Sequence, residues 1–487
     1  MKGKTTMMHR MIIAVAVAGM SLLPRTAPAG QAAMKEQATQ ALRRATDFFR
    51  NEVSTEGGYL WRYSEDLTLR EGEGKANNTI IWVQPPGTPS VGMAYLAAYE
   101  ATGESYYLDA ARDAAYALVK GQLRSGGWDY RIEFDPKRRQ RYAYRVDSHK
   151  EGARNVSTMD DDNTQSAIRL LMHVDQALDF KDPRIHEAVE FALSVLLKVQ
   201  YPNGAWPQRF SAPPDPAKFP VKKACYPHSW SWTFPERDYK SFYTFNDDTI
   251  ADTITTMLEA FDIYGDTRYR AAAEKAGDFI ILAQMPEPQP AWAQQYNADM
   301  HPSWARKFEP PAVTGGESQG VMRTLLTLYR ATGKQKYLEP LPRAIAYLRR
   351  SRLPDGRLAR FYELKTNKPL YLTRGDYRVT YSDADMPTHY SFKSAYGIEA
   401  IAREYESLRA MDPAELKQPK KIPRPRLTED LTARTRAVIN NLDEQGRWIE
   451  DGQLRNDAED DSARRVIDSR TFISNVRTLS TYLAAAR

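Results

Sequence analysis

The sequence predicts an all-α fold, an (α/α) toroid of antiparallel helix pairs whose long loops line one cleft. Three observations carry that expectation. Apolar residues return at three- and four-residue spacing in segment after segment. Many of these helices run into a short aromatic loop of similar spelling. No run of strand-period alternation interrupts the series.

The first residues stand apart. Lys2, Lys4 and Arg10 precede an apolar stretch from Met11 to Leu23, and Thr26-Ala27-Pro28-Ala29 puts small residues where a signal peptidase reads. Residues 1–29 are expected to be a secretory signal peptide, and the mature chain to be secreted or periplasmic. The apolar run is too short to anchor a protein in a bilayer, so no membrane association is expected after its removal.

Helices of one kind are predicted over Ala38–Phe49, Tyr107–Leu118, Ile185–Val199, Tyr269–Leu282 and Tyr337–Leu348. Each leads into an aromatic loop. These read Gly58-Tyr59-Leu60-Trp61-Arg62-Tyr63, Gly127-Trp128-Asp129-Tyr130-Arg131-Ile132, Ala205-Trp206-Pro207-Gln208-Arg209-Phe210, Ala291-Trp292-Ala293-Gln294-Gln295-Tyr296 and Gly356-Arg357-Leu358-Ala359-Arg360-Phe361. A weaker copy, Gln445-Gly446-Arg447-Trp448-Ile449, follows a helix at Leu431–Leu442. Neighbouring copies lie roughly 65 to 90 residues apart, a two-helix unit with long loops. Between them lies a second kind of helix, over Val91–Ala101, Asn163–Leu178, Thr249–Tyr264, Ser318–Thr332 and Ile398–Leu408. Several finish at Thr102-Gly103, Tyr264-Gly265 and Thr332-Gly333, where glycine serves as a helix C-cap. Residues 30–411 are taken as the toroid. Asp412–Pro425 reads as a linker, and the C-terminal helices up to residue 487 complete or pack on the ring.

Composition narrows the function. Of 487 residues, 42% are hydrophobic and 27% charged, which allows a sizeable core and excludes wholesale disorder. The single cysteine excludes an internal disulfide framework and a CxxC site. Seven histidines without an HExxH spacing argue against a zinc hydrolase. A net charge of +6 and a pI near 9.0 favour an acidic partner. The basic clusters Lys137-Arg138-Arg139 and Lys420-Lys421 are too short for a nucleic-acid arm, so no nucleic acid is expected as partner.

The aromatic loops supply the candidate site. Arg62, Arg131, Arg209 and Arg360 are read as matching positions, with Arg306 and Arg374 in long loops nearby. Guanidinium groups on one face recognise carboxylates through paired N–H donors. Aromatic faces beside them suit sugar rings, although an aromatic residue at a loop root also serves packing. Together these features point to an acidic sugar polymer. Two acidic knots stand against this basic background: Asp160-Asp161-Asp162-Asn163 and Asn246-Asp247-Asp248, both at helix starts. One residue in each suits an N-cap. Capping does not require adjacent carboxylates that repel one another, whereas Ca²⁺ takes about six to eight oxygen ligands. Gly316-Glu317-Ser318-Gln319-Gly320 spells the GxSxG nucleophile elbow, but no parallel-sheet pattern precedes it, and it is read as a helix start.

In series, these motifs resemble the family 10 pectate lyases. The matching segments are Asp162-Asn163, Asn203-Gly204-Ala205-Trp206-Pro207-Gln208-Arg209, Thr244-Phe245-Asn246-Asp247-Asp248, Trp292-Ala293-Gln294-Gln295-Tyr296, Ala305-Arg306-Lys307-Phe308-Glu309-Pro310-Pro311, Glu317-Ser318, Arg360-Phe361-Tyr362-Glu363 and Thr373-Arg374-Gly375-Asp376. The likeness covers approximately residues 40–410. It departs over Thr380–Tyr390, and Phe242 stands where a histidine is expected. The resemblance implies Ca²⁺-dependent β-elimination of polygalacturonate. It implies Arg306 as catalytic base and Arg360 and Arg374 as substrate-carboxylate ligands; Arg209, Trp206, Trp292 and Gln208 of the aromatic loops are the further substrate-site candidates. It places Ca²⁺ on Asp162 and on Asp247 or Asp248, with Asp161 beside them. The expected partner is polygalacturonate, and a monomer is expected. A glycoside hydrolase acting on an acidic polysaccharide, with its carboxylates in the two knots, and a non-catalytic acidic-glycan binder are the alternatives.

Overall fold

The computed structural model describes residues 29–236, 238–416, 424–456 and 464–487. The expected signal peptide (apart from Ala29) and the Lys420-Lys421 pair lie outside the described residues. The helices are α1 (Ala29–Phe48), α2 (Thr88–Thr102), α3 (Ser105–Gly121), α4 (Asn163–Ala177), α5 (Pro183–Val199), α6 (Thr249–Tyr264) and α7 (Thr267–Leu282). They continue with α8 (Glu317–Thr332), α9 (Leu341–Arg350), α10 (Ile398–Ala410), the single turn α11 (Pro413–Leu416), α12 (Glu429–Asn440) and α13 (Ser469–Ala485).

Burial separates two layers. On α5 the buried residues Ile185, Ala188, Val189, Ala192, Leu193, Leu196 and Val199 form one stripe, as on a helix with a solvent face. On α4 nearly every residue from Asn163 to Val174 is buried, as on a helix enclosed by others. The inner helices pack in the succession α13, α2, α4, α6, α8, α10. Outer helices pair with them, α3 with α2, α5 with α4 and α7 with α6, while α1 and α12 pack on α13. This is an (α/α) toroid. The last inner helix of the chain thus meets the first outer one. The two ends of the succession, α10 and α13, lack the extensive contact that joins neighbours within it. Left-handed Gly103, Gly265 and Gly333 end α2, α6 and α8, and the Asp182 and Asp266 side chains cap α5 and α7.

The aromatic loops are tied to the helices beside them by two recurring bonds, and the Trp128 and Trp292 loops carry both. The indole N–H of Trp128 donates to Leu118 O (2.8 Å), that of Trp206 to Leu196 O (2.9 Å) and that of Trp292 to Ile280 O (2.8 Å). Trp448 does the same to Val438 O at 2.9 Å. Each bond satisfies a carbonyl that the last turn of an outer helix leaves without a partner. On the other side, the backbone N–H of Tyr59, Trp128 and Trp292 donates to a first-turn hydroxyl of an inner helix. These are Thr88 (2.9 Å), Thr164 (3.1 Å) and Ser318 (3.0 Å). Ser318 is therefore buried at a helix start and belongs to this anchor, as its reading outside a nucleophile elbow requires. The same anchors correct two expected substrate contacts. Trp206 and Trp292 are fully buried, so they pack the ring and present no face to a sugar.

Short two- to four-residue strands link each unit to the next, below the length at which strand periodicity is readable in sequence. Ile80–Trp82 pairs with Arg131–Glu133, Ser157–Thr158 with Arg209–Phe210, Tyr243–Thr244 with Gln295–Tyr296, and Val313–Thr314 with Phe361–Tyr362. Arg62–Ser64 pairs with Arg465–Asp468 and so ties the first aromatic loop to the segment before α13. The register also revises the repeat alignment. Arg131, Arg209 and Gln295 occupy one position, opposite Trp82, Thr158 and Thr244, and Phe361 holds it opposite Thr314. Arg360 stands one residue earlier, in line with Tyr130, Gln208 and Gln294.

Trp206→Ala is expected to lower stability by about 3–5 kcal/mol through the cavity it leaves, and Trp206→Phe by about 1 kcal/mol through loss of the indole bond. Chemical denaturation checks both. A Trp206→Ala variant as stable as wild type would place this side chain outside the structural core.

Candidate active site

The two knots have the same backbone. Asp161 (φ 50°) and Asp162 (φ 58°) are consecutive left-handed residues before α4, and Asp247 (φ 48°) and Asp248 (φ 51°) repeat this before α6. Non-glycine residues pay roughly 1–2 kcal/mol each for that conformation. The turn parts each knot into two directions. Asp160, Asp161 and Asp247 converge, each offering a carboxylate oxygen within 4.8 Å of the others. Asp162 turns toward the ring interior and pairs with Arg169 of α4. Asp248 lies against α8, where a Cβ on Gly320 would stand 3.3 Å from its Oδ1. Of the four aspartates expected at the metal, Asp161 and Asp247 converge with Asp160, while Asp162 and Asp248 are directed away from that point.

Each carboxylate at the convergence is oriented from behind. Tyr130 OH donates to Asp160 Oδ2 (2.8 Å), and Gln208 Nε2 donates to Asp160 Oδ1 (2.9 Å). Gln84 Nε2 donates to Asp161 Oδ2 (3.0 Å), and Asn246 donates to Asp247. Gln208 is buried and its amide is used on Asp160, so it positions a carboxylate; the expectation of a substrate contact is corrected on that ground. Burial, then the charges of Asp160 and Glu73, push the Asp161 carboxyl up to about 6. Burial, then Asp161 and Asp160, push Asp247 up to about 7. Three mutually repelling carboxylates, with oxygen as the only donor type, fit a hard divalent cation such as Ca²⁺.

Two guanidinium groups stand over this cluster. Arg306 Nη2 lies 3.9 Å from Asp247 Oδ2. Arg306 is also gripped by buried Glu309, through Nε to Oε2 (2.9 Å) and Nη2 to Oε1 (2.5 Å). Burial works against the charge on Arg306, and the Glu309 pair overcomes it and raises the guanidinium above its ordinary value. Arg360 pairs with buried Glu317 and reaches Asn246 Oδ1 at 3.4 Å. Tyr390 separates the two arginines, with its ring centroid 4.0 Å from Arg360 Cζ and 5.8 Å from Arg306 Cζ. Its hydroxyl donates to Glu309 Oε1 at 2.8 Å. Arg209 completes the wall, 3.8 Å from Asp160 and 3.3 Å from Tyr130 OH. Arg374 lies on an exposed loop, its guanidinium bonded to Met386 O (3.2 Å) and 3.8 Å from Asp385.

Sequence reasoning brought Asp161, Asp247, Arg306, Arg360 and Arg209 to this place. It passed over Gln84 and Tyr390, which carry no spacing signal. Asp160, Tyr130 and Glu309 were in view inside quoted motifs, and only the contacts give them roles.

Residues 137–328 match the family model described as pectic acid lyase. That stretch holds both knots, Gln208, Arg209, Arg306, Glu309 and Glu317, while Arg360 and Arg374 lie beyond it. This match agrees with the resemblance read from the motifs. A solved family 10 polysaccharide lyase from Cellvibrio cellulosa, in a mutant form in complex with trigalacturonic acid, has 21% identity and a TM-score of 0.45. The likeness covers 66% of this chain and 98% of that one. A GH76 α-mannanase from Bacteroides thetaiotaomicron has 12% identity and a TM-score of 0.40, over 93% of this chain and 95% of that one. No curated protein matches the chain.

The raised Asp161 and Asp247 groups set a pH dependence. Their folded values exceed the ordinary 3.8, so the native state holds more protons than the unfolded chain between about pH 4 and pH 7, and their contribution to stability falls as pH rises through that window. In chelator at about pH 8, Asp161→Asn and Asp247→Asn are expected to raise Tm, and added Ca²⁺ to raise that of wild type. Asparagine variants with an unchanged or lower Tm would show that the carboxylates do not repel as described.

Proposed function

We propose that this protein is a pectate lyase that cleaves polygalacturonate by Ca²⁺-dependent β-elimination. The observation that carries the reading is the facing arrangement of the three-carboxylate cluster and Arg306, 3.9 Å from Asp247, inside the stretch matched by the pectic acid lyase family. Asp160, Asp161 and Asp247 would hold Ca²⁺, with Gln84, Gln208, Tyr130 and Asn246 fixing their orientation. When bound there, the ion would withdraw charge from a uronate carboxylate and make the neighbouring C5 proton more acidic.

The chain's own residues account for the remaining steps. Arg360 and Arg209 bind uronate carboxylates through paired N–H donors. Arg306 accepts the C5 proton. The C5–H electron pair forms the C4–C5 double bond as the C4–O bond breaks, the departing glycosidic oxygen takes a proton from solvent to become a hydroxyl, and Arg306 returns the C5 proton to solvent. Glu309 holds Arg306 charged, so proton acceptance requires that pair to be exchanged and the guanidinium to release one proton to solvent first. The positive charges of Arg360 and Arg209 then favour a neutral guanidine. Tyr390 keeps the two arginines apart and ties its hydroxyl to Glu309. We place the reaction outside the cytoplasm, secreted or periplasmic, on the leader-like residues 1–29. A monomer suffices, because the cleft is built from one chain.

The product carries a double bond conjugated with a carboxylate and absorbs in the ultraviolet. Incubated with polygalacturonate and Ca²⁺, the protein is expected to give rising absorbance that a chelator stops and Ca²⁺ restores. A flat trace with falling viscosity would mean hydrolysis, and a flat trace with intact polymer would mean binding alone. Arg306→Ala is expected to lower kcat by about 10²–10⁴-fold and, by leaving buried Glu309 without its partner, to lower Tm while the folded state persists. A kcat within tenfold of wild type would remove Arg306 from the proton-accepting role.

A further inference from the structure

We propose that a cavity beside the acidic cluster is a subsite for one further uronate residue of the polymer, with Arg131 as its carboxylate ligand. This rests on the acidic-polysaccharide reading above and extends the cleft into the part of the chain before residue 137. The cavity holds about 490 Å³ and is lined in part by Trp82, Tyr130, Tyr142, Arg131, Arg154 and Glu73. That volume lies in the range of small-molecule sites.

It shares two walls with the carboxylate cluster. Tyr130 OH donates to Asp160. Trp82 Nε1 donates to Gln84 Oε1 at 3.0 Å, and Gln84 in turn donates to Asp161. A polymer held at the cluster therefore has this cavity as its continuation. Within the ladder Trp82 pairs directly with Arg131, which sets the two side chains on the same face.

The charges single out Arg131. At the equivalent register position Arg62 is committed to Asp468 at 2.8 Å, and Arg209 lies 3.8 Å from Asp160. Arg154, the other cavity cation, is tied to Asp129. Arg131 is exposed, and among the described residues its guanidinium has no hydrogen bond or ion pair. A fork of N–H donors left uncommitted in a cavity next to a uronate site matches a carboxylate. The Glu73 carboxylate, also without a side-chain partner among the described residues, accepts bonds from ring hydroxyls. The Tyr142 ring offers the flat apolar surface against which a pyranose lies.

The test compares wild type, Arg131→Ala and Arg131→Lys on short and long oligogalacturonates, by cleavage and by calorimetric binding, with Tm recorded for each. Arg131→Ala is expected to weaken long oligomers about tenfold, through KM and Kd and with little change in kcat, in line with the loss of one charged hydrogen-bonded pair. The effect is expected to shrink as the oligomer shortens, and Arg131→Lys to restore part of it. Wild type that binds without cleaving, while Arg131→Ala binds more weakly, would leave the subsite standing and overturn the lyase reading. Equal binding and cleavage by wild type and Arg131→Ala at every length would overturn the subsite, as would wild type that binds no oligogalacturonate.

Discussion

The constraint on which this architecture depends is the double anchoring of its aromatic loops. An outer helix ends with carbonyls that have no partner in the helix, and the next inner helix begins in a buried environment. One tryptophan loop addresses both ends, with its indole N–H on the outer helix and its backbone N–H on a first-turn hydroxyl of the inner one. The short ladders then fix which unit neighbours which. Once these positions are set, the residue two places beyond Trp128, Trp206 and Trp292 falls beside the cleft. Tyr130, Gln208 and Gln294 share that offset, and Arg360 reaches the same line from a loop without tryptophan, through the pairing of Phe361 with Thr314.

The acidic knots add a second device. Left-handed conformation at two successive aspartates is unfavourable for residues with a Cβ, and it recurs at both knots. It separates carboxylates that an ordinary helical start would leave on one side. One group is sent to the cleft, where repulsion among its members favours a cation. The other is sent away from the cleft, where burial raises Asp162 and Asp248, and Arg169 of α4 and Arg323 of α8 partly offset it. Buried Glu309 and Glu317 serve the opposite sign in the same way, each holding one arginine.

Much of this was legible in the sequence. The helices Ile185–Val199, Thr249–Tyr264 and Thr267–Leu282 follow from apolar spacing, because a stripe that must be buried leaves a periodic record. Asp161, Asp247 and Arg306 were visible through residue type and order. The direction of a side chain was not. A tryptophan that closes a core and one that stacks on a sugar are spelled alike, and Trp206 and Trp292 prove to be of the first kind. Asp160 and Asp162 differ by two positions and point apart because of a backbone conformation that composition does not encode. Arg360 fell into the wrong register since only the pairing of Thr314 with Phe361 shows the one-residue offset. Tyr390 belongs to a loop without periodicity, and only contact reveals its place.

The pairing of Arg62–Ser64 with Arg465–Asp468, and of α1 with α13, has a consequence for how the molecule comes into being. Nearly the whole chain separates the two partners, so closing this contact carries the loop-entropy cost of a very long loop. A polypeptide still on the ribosome lacks its last inner helix and exposes the apolar faces of α1 and α2 that α13 covers. The individual helix pairs can assemble from neighbours in sequence, but the seam between first and last units joins only once α13 has been made. Until then the nascent arc is an unfinished ring with two unprotected ends, the state in which this chain is most open to aggregation and to the chaperones that prevent it.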